Sequence, residues 1–111
     1  MMNWIPLERE EQIEIIKSQA ESSVIFKHST RCHISNMVMR FFEKEWKALD
    51  GVNVYYLDLI AYRNLSNIVA ETFQVHHESP QVIVVKNGEC ILDASHQDVS
   101  VKEITEVLAT K

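Results

Sequence analysis

Ser79-Pro80-Gln81-Val82-Ile83-Val84-Val85-Lys86-Asn87-Gly88-Glu89-Cys90-Ile91-Leu92 decides how this chain folds. Two apolar runs, Val82 to Val85 and Cys90 to Leu92, flank Asn87-Gly88. Asn-Gly between apolar runs is a strong hairpin signal, because a type I′ turn needs positive φ at both central positions. The segment therefore predicts two antiparallel strands. Pro80 opens the first of them, and a proline is tolerated at a strand start or edge because it cannot donate to the ladder.

Upstream of the hairpin, helix and strand patterns alternate. Glu8 to Ala20 predicts a helix: Ile13, Ile16 and Ala20 share a face, and Glu8, Glu10 and Glu11 lie at its positive end. Ser23 to His28, with consecutive Val24-Ile25-Phe26, predicts a short strand covered on both faces. Ile34, Met37, Val38, Phe41 and Phe42 follow helical spacing and make a wide apolar stripe, with Asp50-Gly51 ending that helix. Val52 to Ile60 predicts the second strand. Leu65, Ile68, Val69 and Phe73 form the stripe of a third helix, with Asn64 as its expected N-cap. Beyond the hairpin, Ser100 and Glu103 fit a capping box and Val99 and Ile104 the hydrophobic staple around it, so a last helix runs to about Ala109.

A strand–helix–strand unit in one sheet gives parallel strands through a right-handed crossover, and the hairpin adds an antiparallel pair. The predicted architecture is a single α/β domain over residues 1–111. It is a four-stranded mixed sheet with a C-terminal antiparallel hairpin and helices on both faces, which is the thioredoxin-like arrangement.

Composition narrows the classes of function. The chain has 111 residues, the size of one ordinary domain, and 46% of them are apolar. Its formal charge of −5 argues against non-specific nucleic-acid binding, which needs a basic surface. No apolar run reaches the roughly 18–20 residues of a membrane-spanning helix. The start, Met1 to Glu8, lacks a basic n-region and a long apolar h-region, so no secretory signal is expected there. Two cysteines are too few for a disulfide-stapled secreted fold, and the expectation is free thiols in a cytoplasmic protein.

The first strand ends in Phe26-Lys27-His28-Ser29-Thr30-Arg31-Cys32-His33-Ile34-Ser35, which places Cys32 at the strand-to-helix turn. Free N–H groups and the helix dipole favour a thiolate there, and neighbouring cations make it more reactive. Arg31 and His33 flank the sulfur, with Lys27 and His28 close in sequence. The bland alternative is a buried, inert cysteine. Three residues on stands Ser35 and not a second cysteine, so Cys32 can form a mixed disulfide but needs another thiol to resolve it. A small-molecule thiol would serve as co-reductant. Ser35 either donates a hydrogen bond to the thiolate or is an ordinary first-turn serine. His33 either stabilises the thiolate as a cation or faces solvent. None of the histidines pairs with Cys32 at the spacing of a zinc motif, so no metal is expected.

In the predicted topology Pro80 starts the strand that lies beside the end of the first, so it should face Cys32. A cis Ser79–Pro80 bond would leave the Ser79 backbone free to pair with an incoming thiol ligand; the alternative is a trans proline that simply starts a strand. Cys90 follows the hairpin turn, about 20 Å back from the site at strand rise, far beyond the roughly 7 Å of a disulfide. It is expected to be a core residue and not a resolving thiol.

The residues His28-Ser29-Thr30-Arg31-Cys32-His33-Ile34-Ser35, Tyr62-Arg63-Asn64-Leu65-Ser66-Asn67, His77-Glu78-Ser79-Pro80-Gln81, Lys86-Asn87-Gly88 and Ala94-Ser95-His96 together resemble the monothiol bacilliredoxin family, in order along nearly the whole chain. The resemblance implies a thioredoxin-like fold and a cytosolic enzyme that removes bacillithiol from the cysteines of client proteins. Cys32 matches the family's nucleophile and Pro80 the cis-proline of the fold. Bacillithiol would be a co-substrate, with no tightly bound cofactor. Its malate carboxylates would suit Arg31 and, less directly, Arg63, although both are equally at home as solvated surface cations. The family motif usually reads Cys-Pro-Ile-Ser; His33 here replaces the proline, changing the rigidity of the helix start and adding a titratable group. Two competing classes are a non-catalytic thioredoxin-like module that docks peptides at Ser79 and the Cys32 turn, and a monothiol glutaredoxin-like iron–sulfur carrier. The bulk of His33 and Ile34 disfavours the second.

Overall fold

A computed structural model describes residues 3–109. In chain order the elements are β1 (Ile5–Pro6), α1 (Glu10–Ser18), β2 (Ser22–His28), α2 (His33–Glu45), β3 (Val52–Asp58), α3 (Arg63–Phe73), β4 (Gln81–Lys86), β5 (Glu89–Ser95), a 3₁₀ turn (His96–Asp98) and α4 (Val101–Ala109). The sheet runs β1-β3-β2-β4-β5. β2 lies parallel to β3 and antiparallel to β4, and β4 pairs antiparallel with β5. The expected mixed sheet and thioredoxin-like fold are therefore present, with one strand more than the four expected.

The additional strand is β1. It pairs parallel with β3, Ile5 opposite Tyr55 and Pro6 opposite Tyr56, and Leu7 N–H extends the ladder to Tyr56 O at 2.8 Å. Two residues are too short to show alternation, and Pro6 is accommodated because the strand is at the sheet edge. The turn of the hairpin behaves as the Asn-Gly signal requires: Asn87 has φ 53° and Gly88 φ 76°.

Helix ends differ from the expectation where side chains capture the backbone locally. α1 starts at Glu10 and not Glu8, because Gln12 Oε1 accepts from both Glu8 N and Arg9 N while its Nε2 donates to Pro6 O. α2 stops at Glu45, several residues before Asp50-Gly51, and Trp46 stacks on Phe42 as the chain turns away. Asn64 is not the N-cap of α3. Asp58 Oδ1 accepts from Ile60 N and Ala61 N, so the turn is set upstream, Tyr62 takes the cap position and Asn64 falls within the first helical turn. In α4 the Ser100 hydroxyl accepts from Glu103 N at 3.2 Å, and Val99 packs in the same cluster as the buried Ile104.

The two sheet faces carry two apolar clusters. Ile25, Leu57 and Ile83 point to the side of α1 and α3, against Ile13, Ile16 and Val69. Val24, Phe26 and Val84 point to the side of α2 and α4, against Val38, Phe42 and Ile104. β2 is buried from Ser23 through His28, as a central strand covered on both faces must be. The broad stripe of α2 is only half used. Val38 and Phe42 are buried, whereas Ile34, Met37 and Phe41 are exposed. Apolar spacing marks a helix face but does not say whether anything covers it.

Candidate functional site

The site lies where β2 ends. Cys32 is the N-cap of α2, extended at φ −100° and ψ 121°, with the thiol free and half-exposed. Its carbonyl accepts the first helical bond from Asn36 N at 3.0 Å, and its own N–H closes the preceding turn on Ser29 O at 3.1 Å. No side-chain bond from Cys32 caps the helix, so the sulfur stands at the positive end of the α2 dipole without being tied to it. Arg31 and His33 on either side are exposed, as is Arg63 at the start of α3.

Ser35 is placed otherwise than a thiolate donor would be. It is fully buried, its oxygen accepts from Ser29 N at 3.1 Å, and it lies 2.6 Å from His28 Nδ1. The hydroxyl joins the Ser29 N–H and the His28 ring at once. Ser35 thus pins the Ser29–Cys32 turn onto the strand end. His28 is itself buried, which holds its pKa below the ordinary value; Asp58, a side-chain bond to Asn36, and Glu43 pull the other way.

Across the sheet the register pairs Lys27 with Gln81, which brings Pro80 opposite the end of β2. The Ser79–Pro80 peptide is cis and Pro80 is buried. Its carbonyl accepts from His96 N at 2.8 Å, so the turn after β5 is anchored to it. Gln81 closes the loop from within: its Oε1 accepts from Glu78 N and its Nε2 donates to His76 O. Ser79 is different. Its hydroxyl is buried without a partner, and among the described residues no main-chain hydrogen bond engages it.

Lys27 and His28 are close to Cys32 in sequence, but the strand takes both into the interior. They alternate to opposite faces of β2, and both are buried. Lys27 enters the α1/α3 side, where its amine donates to Ser66 O at 3.3 Å and lies 3.2 Å from His77 Nδ1. Burial lowers its pKa to about 8. Ser66 and His77 lie in segments that carry the family resemblance, but nothing in their spacing joined them to Lys27; the hint was a lysine inside an otherwise apolar strand. Cys90 sits by the hairpin turn, opposite Val85, at the other end of β4 from Pro80. It is half-buried against the α1/α3 cluster, its Sγ bonds Leu92 O at 3.5 Å, and burial raises its pKa.

Comparison with known proteins matches this arrangement. Among solved structures, a thioredoxin-fold protein proposed to be an oxidoreductase superposes with a TM-score of 0.75 at 28% identity, covering 92% of this chain and 90% of its own. The thioredoxin of Malassezia sympodialis gives 0.71 at 19% identity, covering 93% and 85%. The oxidised thioredoxin of Plasmodium falciparum gives 0.70 at 19%, covering 97% and 100%. The last two show the fold alone. The model of the monothiol bacilliredoxin family BrxC matches residues 5–104, spanning every element from β1 into α4 and including the Cys32 turn and the Pro80 loop. With one thiol at the head of α2 and the other at the far end of the hairpin, the chain belongs to the monothiol bacilliredoxin family of thioredoxin-fold thiol oxidoreductases.

Proposed function

We propose that the protein removes bacillithiol from mixed disulfides on client proteins. The Cys32 thiolate attacks the bacillithiol sulfur of a client–bacillithiol disulfide. The S–S bond breaks, the client sulfur leaves as a thiolate and takes up a proton, and Cys32 carries bacillithiol. A second bacillithiol thiolate then attacks the bacillithiol sulfur on Cys32, releasing bacillithiol disulfide and the Cys32 thiolate. The observation that supports this reading is the accessible Cys32 on the turn after β2, with Ser79, whose main chain is unpaired, just before the neighbouring strand β4 and Cys90 at the opposite end of that strand. Ser79 N–H and C=O would bond the backbone beside the attacked disulfide. Ser35 supports the chemistry as a positioning residue for the turn, and Arg31 is the first candidate for the bacillithiol carboxylates, with Arg63 second. His33, exposed and next to Cys32 in the chain, would contact the departing thiolate.

Intact mass spectrometry tests this. Wild type and Cys32→Ala are exposed separately to bacillithiol disulfide, glutathione disulfide and a bacillithiolated client. The expected result is one bacillithiol adduct on the wild type alone, transferred from the client. No adduct, or one mapping to Cys90, sinks the proposal and favours a docking module. Arg31→Glu should slow reaction with bacillithiolated clients more than with a neutral disulfide; equal slowing would remove the carboxylate contact.

A further inference from the structure

Beneath the Pro80 loop three parts of the chain meet at one buried amine. Lys27 on β2 is fully buried, donates to the carbonyl of Ser66 on α3, and lies 3.2 Å from Nδ1 of His77 in the segment before Pro80. The Ser66 hydroxyl lies 3.2 Å from the same nitrogen. A charged lysine has donors only, so the imidazole must offer a lone pair at Nδ1, which puts its proton on Nε2. Among the described residues no carboxylate forms an ion pair with Lys27. An apolar residue at this position would avoid the cost of burying an amine. What the amine supplies is a fixed donor, aimed at a ring two residues ahead of Ser79.

We propose that Lys27 and His77 are positioning residues for thiol exchange: the buried amine, through the imidazole, holds the His76–Ser79 segment so that the Ser79 main chain stays presented beside Cys32. This rests on the reading of Cys32 and Ser79 given above. Neither residue touches the reacting sulfurs. The hold has an acid limit. Protonating His77 would place an N–H at Nδ1 against the Lys27 ammonium and remove the acceptor. Burial first, then Lys27, Arg63 and His76, resist that protonation, and Glu78 favours it. On the alkaline side the hold persists, because a neutral amine still donates.

Three variants test it: His77→Asn, whose Oδ1 stands where Nδ1 stood; His77→Phe, which has no acceptor; and Lys27→Met. Two kinetic readouts are the KM and kcat for a synthetic peptide carrying a bacillithiol mixed disulfide, and the rate of Cys32 alkylation by iodoacetamide. The third, in the free protein, is amide hydrogen exchange at Glu78, the one N–H of the segment that donates, to Gln81 Oε1, among the described residues. Expected are near-wild-type values for His77→Asn. His77→Phe and Lys27→Met should show exchange at Glu78 faster by about tenfold, and KM raised several-fold with kcat and alkylation unchanged. The wild-type KM should rise as pH falls below the ordinary histidine value of about 6.5, and the rise should be absent in His77→Asn. An Asn variant as impaired as Phe, unchanged exchange in both Phe and Met variants, or alkylation slowing in step with KM would each overturn the proposal. The exchange arm needs no substrate. A wild type inert toward the peptide whose variants still loosen residues 76–79 would overturn the thiol-exchange reading and support the hold.

Discussion

At the scale of single residues, the most informative side chain is one that makes the fold less stable. Lys27 keeps its proton in the unfolded chain up to its ordinary value of 10.5, but in the folded protein only to about 8. Between these values the unfolded state binds more protons, so stability rises with pH across that window; below pH 8 the whole penalty stands. The interval corresponds to about 3 kcal/mol at most. Lys27→Met removes it but also loses bonds to Ser66 and His77, each worth about 1 kcal/mol. Lys27→Met is therefore expected to be more stable than wild type by about 1–2 kcal/mol at pH 7, with the gain gone near pH 10. Urea unfolding at the two pH values checks this. A gain that does not shrink with pH would show that the amine is not held charged at a cost. Stability and positioning would then part company in one variant: firmer fold, looser Pro80 loop.

At the scale of elements, the hairpin turn is locked by packing as well as by its own geometry. Gly88 has φ 76°, and a Cβ there would run into the carbonyl of Lys17 at the end of α1, whose Nζ donates back to Gly88 O at 2.9 Å. Gly51 has nearly the same φ, 75°, with open space around it. Gly51→Ala should cost about 1 kcal/mol from backbone strain alone, and Gly88→Ala clearly more, about 2 kcal/mol or above. Equal losses in chemical denaturation would mean that α1 yields to the turn. This hairpin was also the most legible part of the sequence, because its signal is local: two residues with a conformational requirement between two apolar runs. The Cys32 turn was legible for the same reason, since strand end, helix start and thiol are contiguous. What stayed hidden depends on distant partners. β1 exists through its ladder with β3, the cap of α3 was moved by Asp58, and the Lys27–Ser66–His77 contact joins residues 39 and 50 positions apart. Periodicity could not separate the buried Val38 and Phe42 from the exposed Met37 and Phe41 on the same helix.

At the scale of the whole molecule, acid has two opposite effects. Charging the five histidines would cancel the formal charge of −5 and relieve the self-repulsion of an acidic protein, which favours the folded state. Against this, His28 and His77 are held below their ordinary pKa, mainly by burial, so the unfolded chain takes up protons before the folded one does. For a depressed histidine the penalty appears as pH falls through the unfolded value of about 6.5 and is complete below the folded one. The two groups also sit at the junctions of the site, one pinning the Cys32 turn through Ser35 and the other the Pro80 loop through Lys27. Charge repulsion over a surface is screened within about 10 Å at ordinary ionic strength, whereas the buried His28 and the half-buried His77 are screened much less, so the burial effect should win. The melting temperature is therefore expected to fall between pH 7 and pH 5. A variant carrying His28→Asn and His77→Asn, which keeps a hydrogen-bonding amide at each Nδ1 position without a titrating ring, should show a flatter profile. A wild type that holds or gains stability on acidification, or a double variant with the same slope, would place the pH response in the surface charge and not in these two rings.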